Sequence, residues 1–326
     1  MTNRTSSRSG RFLPWAVVLV ALLCVLVAAG LVFPALRTHL RRWASTTIHL
    51  GGSASAATSL DPGAFAAGAC VAYTPTSGNN HQTVFLDAGH GGIDPGGVGT
   101  TLSGQRVDES TVNLAIELDT MALLRAQGFR VVVSRTQDTT VVRLAPADTS
   151  DGVLSVQGVH DDVVVRDACA NLAHADALVG IYMDGGGSSQ DAGSVTVYDT
   201  ARPFASSNLR LAGLLQTNML AAMNSKGWQI PDDGTMPDSG FGSSVGDPSS
   251  GGLAAAAAAY DHLLLIGPPA EGYFSSPSLM PGAVIEPLYL TDPFEASIAV
   301  NADDQAVVAQ GMATAIAQFL KAAPAS

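Results

Sequence analysis

The feature of this sequence that most constrains its fold is the alternation of short apolar runs with segments of helical spacing. The run TVFLD at 83–87 is typical of a buried strand, and it leads through a glycine-dense loop into residues 108–127, where apolar residues recur at helical spacing. A second apolar run, RVVVSR at 130–135, follows at once, and the alternation continues to a predicted helix at 305–323. Strands that alternate with helices predict an α/β domain with a largely parallel or mixed sheet.

The middle of the chain carries the remaining predicted elements. The predicted strands are LVGIYM at 178–183, GSVTVY at 193–198, an apolar run at 262–266 and AVIE at 283–286. The predicted helices are 161–175, 206–224 and an alanine run at 253–260. Residues 229–260 include a long turn-rich stretch, which is interpreted either as a lid over a site or as a surface loop. The 326 residues are enough for one large domain with a hydrophobic core.

An uncharged, mostly apolar run spans residues 12–36 and has arginines on both sides. A bilayer core requires about 20 such residues, whereas a cleaved signal peptide has an apolar core of about 7–15. The run therefore predicts an uncleaved transmembrane helix preceding the α/β domain, with residues 1–11 as a cytoplasmic tail. The flanking arginines do not decide its orientation. Residues 37–80, rich in small residues, predict a linker to a single domain at 81–326.

The charge and the cysteine content bear on which partners the protein can bind and in which cellular compartment it is located. The formal net charge is -12, and the 16 basic residues are thinly spread, whereas nucleic-acid binding needs clustered Lys and Arg. No nucleic-acid partner is therefore expected. Of the three cysteines, Cys70 and Cys169 lie beyond the apolar run and would pair if that part of the chain is exported. The alternative is two ordinary unpaired cysteines.

Three residues at the ends of predicted elements are candidates for chemistry. His90 lies in FLDAGHGGIDPGG, just past a buried strand, where catalytic groups of open α/β sheets concentrate. Glu109 starts a predicted helix, and the alternative for it is an acid that stabilises the helix N-terminus. Glu286 closes the strand AVIE, where it either faces a pocket or lies at a solvated strand end.

Several segments resemble those of a known family, in the same order along the chain. The segment FLDAGHGGIDPG is similar to the opening signature of the zinc N-acetylmuramoyl-L-alanine amidases, the amidase type 3 group of cell-wall hydrolases. The family's later segments are resembled by DESTVNLAIEL, GFRVVVSRTQD, RDACANLAHADALVGIYMD and PGAVIEPLYLTDPFE. The resemblance spans about residues 83–320.

This resemblance implies a single α/β domain whose central six-stranded sheet carries one zinc ion held by His, Glu and His. Carried over by position, His90 is the first ligand, Glu109 the second and Glu286 the catalytic acid/base. The implied reaction is zinc-dependent hydrolysis of the amide between N-acetylmuramic acid and L-alanine in peptidoglycan. That substrate lies outside the cytoplasm, so the catalytic domain of the predicted single-pass cell-membrane protein is expected to face the cell wall.

The chain departs from the family at the third zinc ligand. Tyr182, in GIYMD, stands where the family has histidine, and a phenol loses its proton only with a pKa near 10. Asp184 would point to the same face of a strand as Tyr182 and is a candidate substitute, although an acid there is ordinary for the family. His160 is another candidate. His174 is expected to be a surface or packing residue, and nothing in the sequence makes His262 a ligand.

Two functions follow from this departure. One is an active amidase with an altered metal site. The other is a catalytically impaired peptidoglycan-binding or regulatory module on the same fold, because the loss of one ligand weakens zinc binding. A serine hydrolase is set aside, since GFGSSVG at 240–246 lies in the turn-rich stretch and not between a strand and a helix.

Overall fold

The computed structural model describes residues 57–59, 63–240 and 248–322. The predicted cytoplasmic tail at 1–11 and the predicted transmembrane helix at 12–36 lie outside the described residues. Within the described stretches, no helix is long and apolar enough to cross a membrane. As far as the described residues go, this finding contradicts the predicted single-pass location in the cell membrane.

The described residues form short strands and longer helices in alternation. The strands are β1 (Ala57–Ser59), β2 (Ala69–Tyr73), β3 (Thr83–Ala88), β4 (Val98–Thr100), β5 (Arg106–Asp108), β6 (Arg130–Arg135), β7 (Thr149–Ser150), β8 (Val153–Leu154), β9 (Ala177–Ile181), β10 (Ser194–Tyr198), β11 (Asp232–Pro237) and β12 (Gly282–Glu286). The helices are α1 (Glu109–Ala126), α2 (Val156–Leu172), α3 (Ala205–Asn224), α4 (Gly252–Ala259), α5 (Pro293–Ala299) and α6 (Ala302–Lys321).

Eight of the strands form one mixed sheet in the order β1-β2-β6-β3-β9-β12-β10-β11. The four central strands β6, β3, β9 and β12 are parallel, whereas β10 and β11 run the opposite way. The α/β prediction is confirmed, but the implied six-stranded sheet is too small. The extra edge strands β1 and β2 come from residues 37–80, so part of the predicted linker is paired into the sheet.

The central strands are apolar throughout because both faces of the sheet are covered. On one face, residues such as Leu86 and Ile181 pack against α1, α3 and α6. On the other face, Phe85 and Leu178 belong to a second core that includes residues of α2. The alternation of side chains along a strand places neighbouring residues in different cores, which fixes the register of each strand.

A disulfide joins Cys70 in β2 to Cys169 in α2. Both side chains are fully buried in the second core. Of the two alternatives left open by the sequence, the structure shows the paired one. The bond ties an edge strand to the helix that covers the second face, across a sequence separation of 99 residues.

We expect the double variant Cys70→Ala/Cys169→Ala to lose about 2–4 kcal/mol of the free energy of unfolding, because the unfolded chain gains the freedom that the closed loop removes. Urea denaturation followed by circular dichroism measures this difference. Dithiothreitol should lower the midpoint of the native chain and leave that of the double variant where it is. Equal midpoints for the two proteins without reductant would contradict the prediction.

Candidate active site

The carboxyl ends of the parallel strands β3, β9 and β12 meet at one end of the sheet, which is where open α/β sheets bind ligands. His90 follows β3, Tyr182 follows β9 and Glu286 ends β12. Together with Glu109 at the start of α1, and with Asp184, they line one cleft of about 670 Å³. The structure thus brings the residues that the sequence predicts for catalysis or metal binding to one cleft, which the alternative ligand His160 also lines.

His90 is held between two carboxylates. Its Nδ1 lies 2.8 Å from Asp94 Oδ2, and its Nε2 lies 3.4 Å from Glu109 Oε2. Burial alone would lower the pKa of His90, but the hydrogen bonds and negative charges of Asp94 and Glu109 outweigh it and raise the pKa to about 10. The loop needs glycine at Gly96, which has φ +67° and whose added Cβ would lie 2.6 Å from Glu109 Oε2.

Glu109 is almost fully buried, and its carboxylate accepts hydrogen bonds from the backbone of two other segments. Its Oε2 accepts the Gly97 N–H at 2.6 Å, while Oε1 accepts the Met183 N–H at 2.9 Å and Asn113 Nδ2 at 3.1 Å. Burial raises the pKa of Glu109, but these donors and His90 more than offset it, so the net shift is downward. Glu109 is therefore an ionised carboxylate fixed at the cleft.

Glu286 and Asp184 form a close pair of carboxyl groups. Burial, the charges of Asp184 and Glu109, and a hydrogen bond with Asp184 raise the pKa of Glu286 to about 8. With this raised pKa, Glu286 carries its proton near neutral pH. A carboxyl group that exchanges a proton in this range suits general acid/base chemistry.

Tyr182 takes part in a different set of contacts. Its ring lies edge-on to the His90 ring at 5.4 Å, and its hydroxyl lies 3.5 Å from Asp87 Oδ2. Burial and the charge of Asp87 raise the pKa of Tyr182 well above its ordinary value. The phenol thus stays neutral and directed to Asp87, which counts against Tyr182 as a metal ligand.

The donors of the cleft can be tested against a zinc ion. Donors on one tetrahedral ion with bonds of about 2.0–2.2 Å lie about 3.3 Å apart, and the His90 Nε2 to Glu109 Oε2 distance is 3.4 Å. Asp94 on the far nitrogen of His90 is the usual partner of a metal-binding imidazole. The half-buried phenol of Tyr182, which keeps its proton, does not suit zinc, whereas a carboxylate such as that of Asp184 does. In the described part of the chain, His90 and Glu109 are thus spaced for one divalent ion, and Asp184 lines the same cleft without completing a group of three donors within 4.8 Å of one another.

Arg166, on α2, binds the backbone of the loop that carries His90. It is fully buried and donates to Asp87 Oδ1 and Asp162 Oδ2, both at 2.7 Å. It also donates to the carbonyls of Ala88 at 2.7 Å and His90 at 2.9 Å. The guanidinium thereby fixes the backbone on which His90 is carried and balances the charge of two buried acids.

The alternatives for the third ligand lie apart from the His90–Glu109 pair. His160 lines the cleft, but its Nδ1 bonds Asp161 and its Nε2 bonds the Tyr273 carbonyl, so both nitrogens are engaged. His174 is exposed, as the sequence predicted. His262 also lines the cleft, and its Nδ1 faces two buried aspartates, a contact that the sequence does not predict.

The second wall of the cleft lies mostly after residues 229–260, the stretch that the sequence left open as a lid or a loop, since Tyr260 is the one residue of that stretch that lines the cleft in the described part of the chain. The predicted helix at 253–260 is present as α4, and the following residues Tyr260, Leu263, Leu264 and Tyr273 line the cleft. The predicted strand at 262–266 is absent, because Leu265 and Ile266 pack into the second core without pairing. Residues 241–247 lie outside the described part of the chain.

Comparison with known proteins agrees with this architecture. The family model described as N-acetylmuramoyl-L-alanine amidase matches residues 84–318. The amidase LytC of Bacillus subtilis (strain 168) is 32% identical over 145 residues, which make up 44% of this chain and 24% of that protein. The match thus spans about a quarter of that relative's length.

Solved structures show the same fold. The N-acetylmuramoyl-L-alanine amidase of Clostridium difficile 630 is 23% identical with a TM-score of 0.50, and the similarity covers 76% of this chain and 100% of that one. The CwlD amidase of Clostridioides difficile, solved in complex with the GerS lipoprotein, is 19% identical with a TM-score of 0.54, covering 74% of this chain and 100% of that one. Since the family model also matches most of the sequence, the chain belongs to the N-acetylmuramoyl-L-alanine amidase family.

Proposed function

We propose that this chain hydrolyses the amide between the lactyl group of N-acetylmuramic acid and L-alanine in peptidoglycan, and that it does so with a bound zinc ion. The observation that carries the proposal is the cleft in which His90, Glu109, Asp184 and Glu286 meet. An imidazole, two carboxylates and a further carboxyl group with a raised pKa are the groups that metal-assisted amide hydrolysis needs.

Each residue of the cleft would have a separate role in this reaction. His90 and Glu109 would hold the zinc ion, with Asp184 moving in from the same cleft as the third ligand, and Asp94 would keep His90 in the orientation that presents Nε2. When bound, the ion supplies a positive charge that polarises the amide carbonyl and acidifies water. Glu286 would accept the proton of the attacking water and pass it to the departing nitrogen. Glu286 must be ionised for the first transfer, and a nearby cation favours that form.

The test uses the purified full chain, a defined muropeptide and mass spectrometry of the products. We expect release of the free stem peptide with an L-alanine N-terminus, loss of this release after treatment with a chelator, and recovery on addition of Zn²⁺. Zinc content measured on the same sample should account for the activity. Zinc-loaded protein that leaves the muropeptide intact would overturn the proposal.

A second candidate function is a peptidoglycan-binding module without turnover. Its motive is the neutral, buried Tyr182 hydroxyl in place of a metal ligand, which leaves the site with fewer strong donors. In that case the chain would sediment with insoluble peptidoglycan, hold no stoichiometric zinc and release no peptide. The same assay therefore separates the two candidates.

A further inference from the structure

A second group of ligand-type side chains lies at the opposite end of the sheet. Asp199 follows β10 and Asp238 follows β11, and because these strands are parallel neighbours their carboxyl ends lie side by side. Strand β10 is antiparallel to β12, so this end is remote from the end at which Glu286 lies. His262, from the segment after α4, completes the group and lines the same cleft as His90.

Each aspartate is fixed by the backbone through one oxygen and presents the other to His262. Asp199 Oδ1 accepts the Ala201 and Arg202 N–H groups at 2.8 and 2.7 Å, and Oδ2 lies 3.3 Å from His262 Nδ1. Asp238 Oδ2 accepts the Leu263 N–H at 3.2 Å, and Oδ1 lies 3.1 Å from the same nitrogen. The three donor atoms all lie within 4.8 Å of one another.

The two buried acids of this group share one imidazole. Asp199 and Asp238 are fully buried, and within the described residues only His262 forms an ion pair with them. Arg202 donates hydrogen bonds to the carbonyls of Gly267 and Ser278 and forms none with the aspartates, although its charge acts on Asp199. A single proton on His262 Nδ1 cannot serve both carboxylates, and the buried Asp199 Oδ2 is left without a hydrogen-bond partner among the described residues.

A third buried acid lies nearby, and burial followed by the charge of Asp87 raises its pKa well above the ordinary value, so it adds no charge to the group. Asp167, on α2, is fully buried, and neither of its carboxyl oxygens has a hydrogen-bond partner in the described part of the chain. Burial and then the charges of Asp238, Asp199 and Asp167 raise the pKa of Tyr260, which places all three acids around that side chain. Buried acids are normally paired or bound to a cation.

We propose that Asp199, Asp238 and His262 form a second divalent-cation site, distinct from the one at His90 and Glu109. Two carboxylate oxygens and one imidazole nitrogen make up a donor set that suits Zn²⁺ or Mn²⁺. The distances of 3.1 and 3.3 Å from His262 Nδ1 match the spacing of about 3.3 Å expected for donors on one ion. The backbone N–H groups on the outer oxygens hold the carboxylates in place before the ion arrives.

A cation at this site would fix one wall of the cleft. Tyr260, Leu263 and Leu264 line the cleft on either side of His262 in the sequence. Binding of an ion between His262 and the ends of β10 and β11 would anchor this segment to the sheet. The second site would therefore shape the substrate cleft without taking part in the bond cleavage.

The test measures metal binding to the purified full chain, and not hydrolysis. Apoprotein is titrated with Zn²⁺, and separately with Mn²⁺, by calorimetry, with the bound metal counted by mass spectrometry. The variants are His262→Gln and Asp238→Asn for the proposed site and Glu109→Gln for the site at His90. We expect Glu109→Gln to keep a metal equivalent that His262→Gln and Asp238→Asn lose or bind at least about 10-fold more weakly, in line with the loss of one ligand.

The double variant His90→Gln/Glu109→Gln keeps the test decisive if changes at the buried aspartates prevent folding. It leaves the second site untouched, so one bound equivalent of Zn²⁺ or Mn²⁺ supports the proposal. A double variant that is folded by circular dichroism and binds neither metal overturns it. So does a His262→Gln chain that binds the same number of ions as the native chain with the same affinity.

Discussion

Replacing Glu286 with glutamine is expected to lower kcat for muropeptide hydrolysis by about 10²–10⁴-fold, because an amide cannot accept the proton that general base catalysis transfers. Glutamine keeps the shape of the side chain and can still share a hydrogen bond with Asp184, so the cleft should remain intact. The zinc content should not change, since Glu286 is not among the three proposed ligands. The measurement is single-turnover release of stem peptide, compared with zinc content and melting temperature of the same preparation.

Glu295→Gln is the matched control for this change. Glu295 is also a buried carboxyl with a raised pKa, about 7, caused first by burial, but it accepts the Tyr289 and Gly193 N–H groups and does not line the cleft. Its variant should hydrolyse muropeptide within a few-fold of the native rate. If Glu286→Gln kept a rate as close to native as Glu295→Gln does, Glu286 would not be the general base.

The parts of the fold that local sequence patterns determine were predictable. The run TVFLD forms β3, RVVVSR forms β6, and the helix predicted at 108–127 is α1. The strand predicted at 262–266 is wrong, since the apolar residues of this run pack into the second core without pairing with a strand. Strand β11, with the sequence DDGTMP, carries no alternation, and it exists because β10 offers an edge to pair with.

The residues of the candidate site likewise fall into those that local patterns predict and those that only long-range contacts bring together. His90, Glu109 and Glu286 could be proposed from sequence because each stands at the end of a recognisable element and matches a family segment. In the sequence, Asp94 looks like an ordinary turn residue. Its contact with His90 Nδ1 is visible only in the folded loop. The pairing of Asp199 and Asp238 with His262 requires the parallel pairing of β10 with β11, which no local pattern predicts.

Loss of the Arg166 side chain should lower the stability of the fold strongly. Replacing it with methionine is expected to lower the free energy of unfolding by about 3–5 kcal/mol, the range for removal of one partner of a buried ion pair. The reason is that Asp87 and Asp162 would be left charged and buried, while the carbonyls of Ala88 and His90 would each lose a donor. Urea denaturation at neutral pH measures the loss.

A matched variant separates this effect from the general loss of an arginine. Arg130→Met removes a side chain that donates to Thr83 Oγ1 and the Ala173 carbonyl and forms no ion pair with a described residue, so a loss of about 1 kcal/mol is expected. Adding Asp87→Asn to Arg166→Met should recover part of the stability, because the stranded charge is removed, and the double-mutant cycle gives the coupling between the two side chains. A loss of only about 1 kcal/mol for Arg166→Met, equal to that of Arg130→Met, would mean that the buried acids beneath the catalytic loop are neutral and that Arg166 does not hold them in place.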